Sequence, residues 1–497
     1  MSKLKDILLI IFEELEDDQR SLFSCLLVDK LWCETAVIFL WKNPWRYYLG
    51  FYQEKFLYNT IILFLPDESK EFLKLEGIEI PSSKSQNPPL FDYLTFCRHL
   101  NVVKINSIIH LSDYKKYIVE QEVYKLLMRK CSLLKSMDVR YIKHHLDYFN
   151  GAESCLSRLT ELKCTTFDQP LFYDRLAQHC QYIEKLIIDQ CKKDNYGLAK
   201  LIQVQKNLKY IEFNGNLFVG GEEDYDPFGD VGKALIGNSD SLIHFKAFFC
   251  GNISFPPTIL PKLCNLQKLQ FLIPHLDKKY EDQLKISSYP NLRILHIENI
   301  SPDIVAEIIE KTGGNLKKLL IEKYHYCKDS KRLIRSIYKN CPKIENLSIV
   351  IHNYNFMEFK KLLKICQNLK ELYFSILNNN DEFEEKSLEE KFDDGGILSE
   401  LLIDDSTSKF LNYIKFLNYW KISSNNFENF LKNWKGNTPF LKLPVTQLSH
   451  VIVHLRYLGS PNGGLRTTHI RNLIIYRHNN LRGIWSRALN ERTKLFT

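Results

Sequence analysis

Leu292-x-x-Leu295-x-Ile297, Leu316-x-x-Leu319-x-Ile321 and Leu369-x-x-Leu372-x-Phe374 are three copies of one pattern, apolar–x–x–apolar–x–apolar. Thirteen copies run along the chain. Their first positions are Leu100, Leu134, Leu159, Ile183, Leu208, Leu242, Leu266, Leu292, Leu316, Ile344, Leu369, Leu398 and Phe440. Most successive steps between Leu134 and Leu398 are 24 to 29 residues. A repeat of that length predicts a solenoid with one strand and one helix per turn. Amphipathic stretches lie between the copies, as at Val123 to Leu127 and Ile304 to Ile309, and are expected as the helices. The expected fold class is α/β, with a curved parallel sheet on the concave side and helices on the convex side. Such a solenoid usually serves as a recognition surface.

The repeat period and wording are those of leucine-rich repeats. Composition agrees with a globular chain, at 45% hydrophobic and 25% charged. No run approaches the roughly 18 apolar residues of a membrane span. The short run Ile7 to Phe12 is flanked by Lys3, Lys5 and Asp6 before it and by acids after it, without a small-residue cleavage site. The expectation is a cytosolic or nuclear protein, so its 13 cysteines are read as thiols. Cys131, Cys155, Cys180, Cys264, Cys341 and Cys366 each lie shortly before a repeat's first apolar position. Cys191 and Cys250 follow the third. Both placements suit a small buried hydrophobe. No C-x-x-C and no His/Cys zinc spacing is present, so no metal and no cofactor are expected.

The net charge of +8 is unevenly placed. Residues 446–497 carry +7, and the preceding 445 residues carry +1. The period lengthens to 34 between Leu208 and Leu242, around an acidic insertion from Gly220 to Asp230. A second acidic insertion runs from Asn378 to Asp394. Insertions in solenoids map to loops. A helix around Phe427 to Trp434 and a strand near Phe440 to Val445 close the regular part.

The first residues form a separate unit. Ile7, Leu8, Ile11, Phe12 and Leu15 make one helical stripe, and the acids at 16–18 break it and offer an N-cap. A second helix carries Leu22, Cys25 and Leu26. A third, from about Asp29, carries Trp32, Ala36, Phe39 and Leu40 and ends at Asn43-Pro44. Three short helices bury only a small core and need support from a partner or from the domain behind them. The expected division is 1–45 for this unit, 46–90 for a helical linker, 91–445 for the repeats and 446–497 for a basic, poorly ordered tail.

Residues Leu4 to Trp41 resemble an F-box. The match runs through Ile7-Leu8, Ile11-Phe12-Glu13-Glu14-Leu15, Ser21 to Val28, Leu31-Trp32-Cys33 and Leu40-Trp41. Where the family commonly has Leu-Pro at the start, this chain has Leu4-Lys5. An F-box ahead of leucine-rich repeats is the module order of F-box/leucine-rich-repeat proteins, and the wording is similar to the large fungal F-box families. The resemblance implies a non-catalytic subunit of a ubiquitin ligase, a substrate-recognition adaptor. The F-box would dock on a Skp-type adaptor and through it on a cullin, while the repeats hold an unknown protein substrate. The residues expected to meet the adaptor are Leu4, Ile7, Leu8, Ile11, Leu26, Val28 and Trp32.

Substrate contacts would come from outward positions between the apolar ones, for example Lys209, Glu212, Arg293, His296, Lys317, Lys370 and Tyr373. A scaffold or binding protein acting outside ubiquitination is the alternative. An enzyme is disfavoured, because no G-x-x-x-x-G-K-[ST], G-x-S-x-G or H-E-x-x-H is present and no catalytic residue is assigned. Neither membrane nor nucleic acid is an expected partner. Nucleic-acid binding through the tail would show a steep salt dependence.

Overall fold

The structure is a computed structural model. It describes residues 2–47, 51–80, 89–191, 194–215, 229–249, 257–272, 278–322, 330–352, 355–377, 410–411, 413–416 and 440–442. Most of the Gly220 insertion, all of the Asn378 insertion, Leu398, Cys250, the expected helix at Phe427 to Trp434 and the basic tail lie outside these residues. The chain divides into two compact units, Met1–Leu263 and Cys264–Thr497.

The first unit opens with helices α1 (Ser2–Glu14), α2 (Gln19–Cys25), α3 (Lys30–Lys42), α4 (Phe51–Leu63) and α5 (Asp67–Leu75). Strand β1 (His99–Asn101) follows, then α6 (Val102–Ile108), α7 (Asp113–Lys130), β2 (Ser136–Asp138), α8 (Ala152–Leu156), β3 (Glu161–Thr165) and α9 (Pro170–His179). The unit continues through β4 (Lys185–Asp189), α10 (Tyr196–Gln203), β5 (Tyr210–Gly215), α11 (Gly229–Gly237) and β6 (His244–Phe249). The second unit contains β7 (Lys268–Leu272), α12 (Lys278–Ile286), β8 (Ile294–Glu298), α13 (Pro302–Glu310), β9 (Lys318–Glu322), α14 (Lys331–Asn340), β10 (Asn346–His352) and α15 (Phe356–Ile365). Strands β11 (Glu371–Leu377), β12 (Tyr413–Phe416) and β13 (Phe440–Lys442) complete it.

In each unit the strands pair in chain order and all are parallel. The repeat pattern explains this. Its last two apolar positions are two residues apart, so both point to the same side of a strand. The residues between them are half-exposed on the other side, as in β4. Register then stacks like on like. Met137, Leu162, Leu186, Ile211 and Phe245 pair in succession in the first unit. Leu269, Leu295, Leu319, Leu347, Leu372 and Ile414 do so in the second. All are buried. The fold is thus an α/β repeat of leucine-rich-repeat type, preceded by helices.

Ten of the thirteen expected first positions, Leu134 to Leu369, hold this register. Three do not. Leu100 pairs with Met137, so it is a middle position, and buried Cys97 is the first. Strand β12 follows β11 directly in the sheet and places buried Leu411, not Leu398, three residues before its middle Ile414. Phe440 pairs with Tyr413, which puts Leu441 at the middle position. The errors have two causes. A first repeat accepts cysteine in the leading position, and a long insertion hides where counting should restart.

Cysteine fills the predicted role at Cys131, Cys155, Cys180, Cys341 and Cys366, all fully buried, whereas Cys264 is exposed. Burial pushes the thiols of Cys155, Cys180 and Cys366 up to about 12, so they stay protonated and act as packing groups.

On the helix side of the second unit, Glu358 of α15 accepts from Arg335 Nη2 at 2.8 Å and from the Tyr338 hydroxyl at 3.1 Å, both on α14. The Arg335 hydrogen bond is the main reason its carboxyl falls to about 2, against the desolvation of a buried site. A depressed carboxyl stabilises the fold fully above its ordinary value of 4.5 and loses that contribution as pH falls towards 2. Glu358→Gln is therefore expected to lower the melting temperature at neutral pH. The gap from wild type should narrow steadily in melts below about pH 4.5.

Candidate functional site

The second and third N-terminal helices start or stop for local reasons. Asp18 caps α2, accepting from the Ser21 backbone N–H at 3.2 Å and its hydroxyl at 2.6 Å. These bonds, the hydroxyl's first, hold the Asp18 carboxyl below its ordinary range. Asp29 caps α3 by accepting from Trp32 N–H at 2.8 Å. The helix ends at Asn43, before Pro44.

Between them the helices enclose Leu8, Phe12, Leu22, Cys25, Ala36, Phe39 and Leu40. Phe12 is the centre. Its ring meets Trp32 edge-on at 5.4 Å and Phe39 at 6.1 Å. Leu26 and Trp32 are half-buried against this core.

At about 100° per residue, Leu8 and Phe12 of α1 and Leu15 in the turn after it occupy one arc roughly 60° wide. Leu4, Ile7 and Ile11 occupy the adjoining arc of roughly equal width. The first set faces the core and the second faces solvent: Leu8 is 2% exposed and Ile7 is 53% exposed. Ile10 extends the outer stripe and is also exposed. A second exposed group, Phe23, Leu27 and Val28, lies at the end of α2 and the turn into α3, with Leu27 at 88%.

Of the seven residues expected to meet a partner, Leu4, Ile7, Ile11 and Val28 are therefore on the surface. Trp32 and Leu26 are shared with the core, and Leu8 lies inside it. Leu8 was placed outside because the apolar stripe read as one face, whereas it is two adjoining faces with different fates. Ile10, Phe23 and Leu27 are exposed as well and lie outside that expectation. Leu27 follows Leu26 in an apolar run, and only the break of α2 at Cys25 decides which of the two turns outward.

The three helices are fastened to the repeats behind them. Arg98 N–H, just before β1, donates to the Lys42 carbonyl at 2.9 Å. Trp41 stacks on Tyr93 at 4.8 Å, and the Trp45 indole donates to the His99 carbonyl of β1 at 2.8 Å. The end of α3 is thus pinned to the first strand.

The outward residues of the strands are mostly engaged with one another. Glu212 accepts from Lys246 at 2.7 Å, and His296 meets Glu322 at 2.8 Å. Lys209 pairs with Glu184 at 3.1 Å. Glu345 takes both Lys370 at 2.6 Å and Lys317 at 3.1 Å, and these two lysines hold its carboxyl below the usual range. Tyr373 donates to Glu371 at 2.9 Å, and Arg293 is exposed. Apart from Tyr373–Glu371, which lies within β11, these pairs join neighbouring repeats, and exposed pairs of this kind contribute little to stability. Most of the charge expected to read a substrate is neutralised within the sheet face.

Among the described residues, no group of histidine, cysteine, aspartate and glutamate could hold a metal ion, and no helix is long and apolar enough to cross a membrane.

No protein-family model matches the chain. No curated protein matches it either. Among solved structures it is similar to one described as "Crystal structure of Rad7 and Elc1 complex in yeast", with a TM-score of 0.41 and 14% identity, over 86% of this chain and 93% of that chain.

Proposed function

We propose that this chain is the substrate receptor of a Skp–cullin–F-box type ubiquitin ligase. The three helices α1–α3 dock on a Skp-type adaptor, and the repeats hold a protein substrate. The observation that carries this reading is the double use of α1. One apolar stripe builds the core, and a second, Leu4, Ile7, Ile10 and Ile11, is exposed beside it. A patch of large aliphatic residues is rarely left on a free surface and marks a protein contact. The F-box resemblance of these same residues says which kind of contact. The mechanism is proximity: one end holds the ligase, the other holds the target, and the effective concentration of reacting groups rises. The bonds that pin α3 to β1 support that role, because a fixed offset between the ends limits the orientations wasted.

The test is co-expression of the full-length chain with a Skp-type adaptor and a cullin, followed by size-exclusion chromatography. Co-migration of all three is expected. Adaptor without cullin would replace the ligase reading with a scaffold one, and a folded chain that takes neither would reject both.

A further inference from the structure

In the first unit one backbone bond recurs from repeat to repeat, just ahead of each strand. The Lys135 N–H donates to the Arg98 carbonyl at 2.8 Å, Thr160 to Lys135 at 2.8 Å, Glu184 to Thr160 at 2.8 Å, Lys209 to Glu184 at 2.9 Å and Ile243 to Lys209 at 3.0 Å. Each rung therefore uses the repeat before it. β1 is the first strand of the sheet, so no earlier repeat offers Arg98 a carbonyl. Its N–H donates instead, at 2.9 Å, to Lys42, the last residue of α3. A helix end leaves four carbonyls without intrahelical partners, and Lys42 lends one of them to the ladder. The end of α3 thus takes the place of a repeat before the first.

Other contacts hold that end in place. The buried Trp45 indole donates to the His99 carbonyl at 2.8 Å, and the Cys97 thiol donates to the same carbonyl at 2.9 Å. The Trp41 ring stacks on Tyr93, whose ring meets Phe64 and Phe91 edge-on at 6.0 and 5.9 Å. Pro44 lies between Lys42 and Trp45 and has no N–H to offer a further strand, so the ladder ends there. The terminal repeat of a solenoid needs such a cap, because repeats are stabilised by their neighbours and the first has a repeat on one side alone. The same helix also belongs to the docking end. Phe39 and Leu40 of α3 close the core around Leu8 and Phe12, and the helix that carries these two also carries the exposed Ile7, Ile10 and Ile11.

We infer that α3 makes order in the first repeats conditional on order in the docking helices. Whatever loosens α1–α3 withdraws the Lys42 carbonyl and the Trp45 indole from β1, and fraying begins at the repeats nearest them. A partner that binds only the folded helices, such as a Skp-type adaptor on the outer stripe of α1, stabilises them by mass action and firms β1 and β2 with them. The first repeats are then firmest in a chain already seated on its ligase. That regulatory meaning rests on the substrate-receptor reading, but the coupling within the chain does not, so the two fail separately.

The test is backbone hydrogen exchange of the full-length chain, read by mass spectrometry. Arg98, Lys135 and Ser136 report the first rungs, and Lys209 and Tyr210 report rungs farther along. Phe12→Ala, in the helix core, should speed exchange about tenfold or more at the first three and leave the last two within about twofold. If that variant unfolds the whole chain, Leu8→Val, one methylene smaller, takes its place, with a smaller effect at the same amides. Trp45→Phe keeps an aromatic ring and loses the indole N–H, so it should speed the first rungs without changing exchange within α1. A Skp-type adaptor added to wild type should slow exchange at Arg98, Lys135 and Ser136 as well as in α1. Faster exchange confined to α1–α3 in Phe12→Ala or Leu8→Val would overturn the coupling. So would an adaptor that protects α1 and leaves the first rungs unchanged. An adaptor that fails to bind rejects the substrate-receptor reading alone, since the variants decide the coupling without it.

Discussion

Ile7→Asp should abolish co-purification of the full-length chain with a Skp-type adaptor while leaving its melting temperature close to wild type. The two halves of that expectation have separate physical grounds. Ile7 is more than half exposed and lies outside the core formed by Leu8 and Phe12, so the folded chain loses little when it becomes polar. In a docked complex, the same position would bury an aspartate against an apolar partner. A central anchor typically contributes about 2 kcal/mol or more to binding, roughly a thirtyfold change in affinity, and a buried unpaired charge adds to the loss. Leu8→Ala is the informative contrast. Leu8 is fully inside, so its truncation should cost about 2–5 kcal/mol of stability and weaken docking only by unfolding the helices. If Ile7→Asp still co-purifies with the adaptor in full yield, the outer stripe of α1 is not the docking face. If it melts far below wild type, Ile7 belongs to the fold after all.

This pair also marks what a sequence can and cannot say here. The strands and their register were legible from Leu134 to Leu369, because each repeat restates the same apolar spacing and the errors of one are corrected by the next. The cap within the acids at 16–18 was legible for a similar reason, since the Asp18 side chain acts on backbone only three residues away. The apolar surface proposed for docking was legible as a region but not by residue. Leu8 and Ile7 are chemically alike and adjacent, and which one turns inward depends on where Phe39 and Leu40 of α3 lie. The left-handed backbone at Tyr141 was not legible at all. Its hydroxyl accepts from Gln190, a residue 49 positions away, and nothing in the local spelling of Arg140-Tyr141-Ile142 announces the conformation.

The close packing of the helix layer makes the last expectation the largest in stability. Gly197, in the first turn of α10, sits against the first turn of α9. A Cβ built on Gly197 would lie 1.8 Å from the Pro170 carbonyl oxygen and 2.6 Å from its carbon. Those are backbone atoms of a helix start and cannot swing aside as a side-chain tip could. To admit even a methyl group, α9 and α10 must separate, and both are tied down. Asn195 caps α10 while bonding the turn that leads into α9, and the layer beneath holds Leu176, Leu198 and Leu201 with no exposed surface. Overpacking a tight core costs about 1–3 kcal/mol when side chains can adjust, and more when backbone must move. Gly197→Ala should therefore lose at least about 3 kcal/mol. Gly237, at the end of α11, has nothing within 4 Å of its would-be Cβ. There, alanine removes only the flexibility of glycine in a helix and should be neutral or stabilising, by up to about 1 kcal/mol. The two substitutions are chemically identical, so a denaturant titration of both isolates the packing. Opposite signs would establish that the α9–α10 approach is set by the missing side chain at Gly197. A Gly197→Ala chain as stable as wild type would mean that the helices stand further apart than this contact requires.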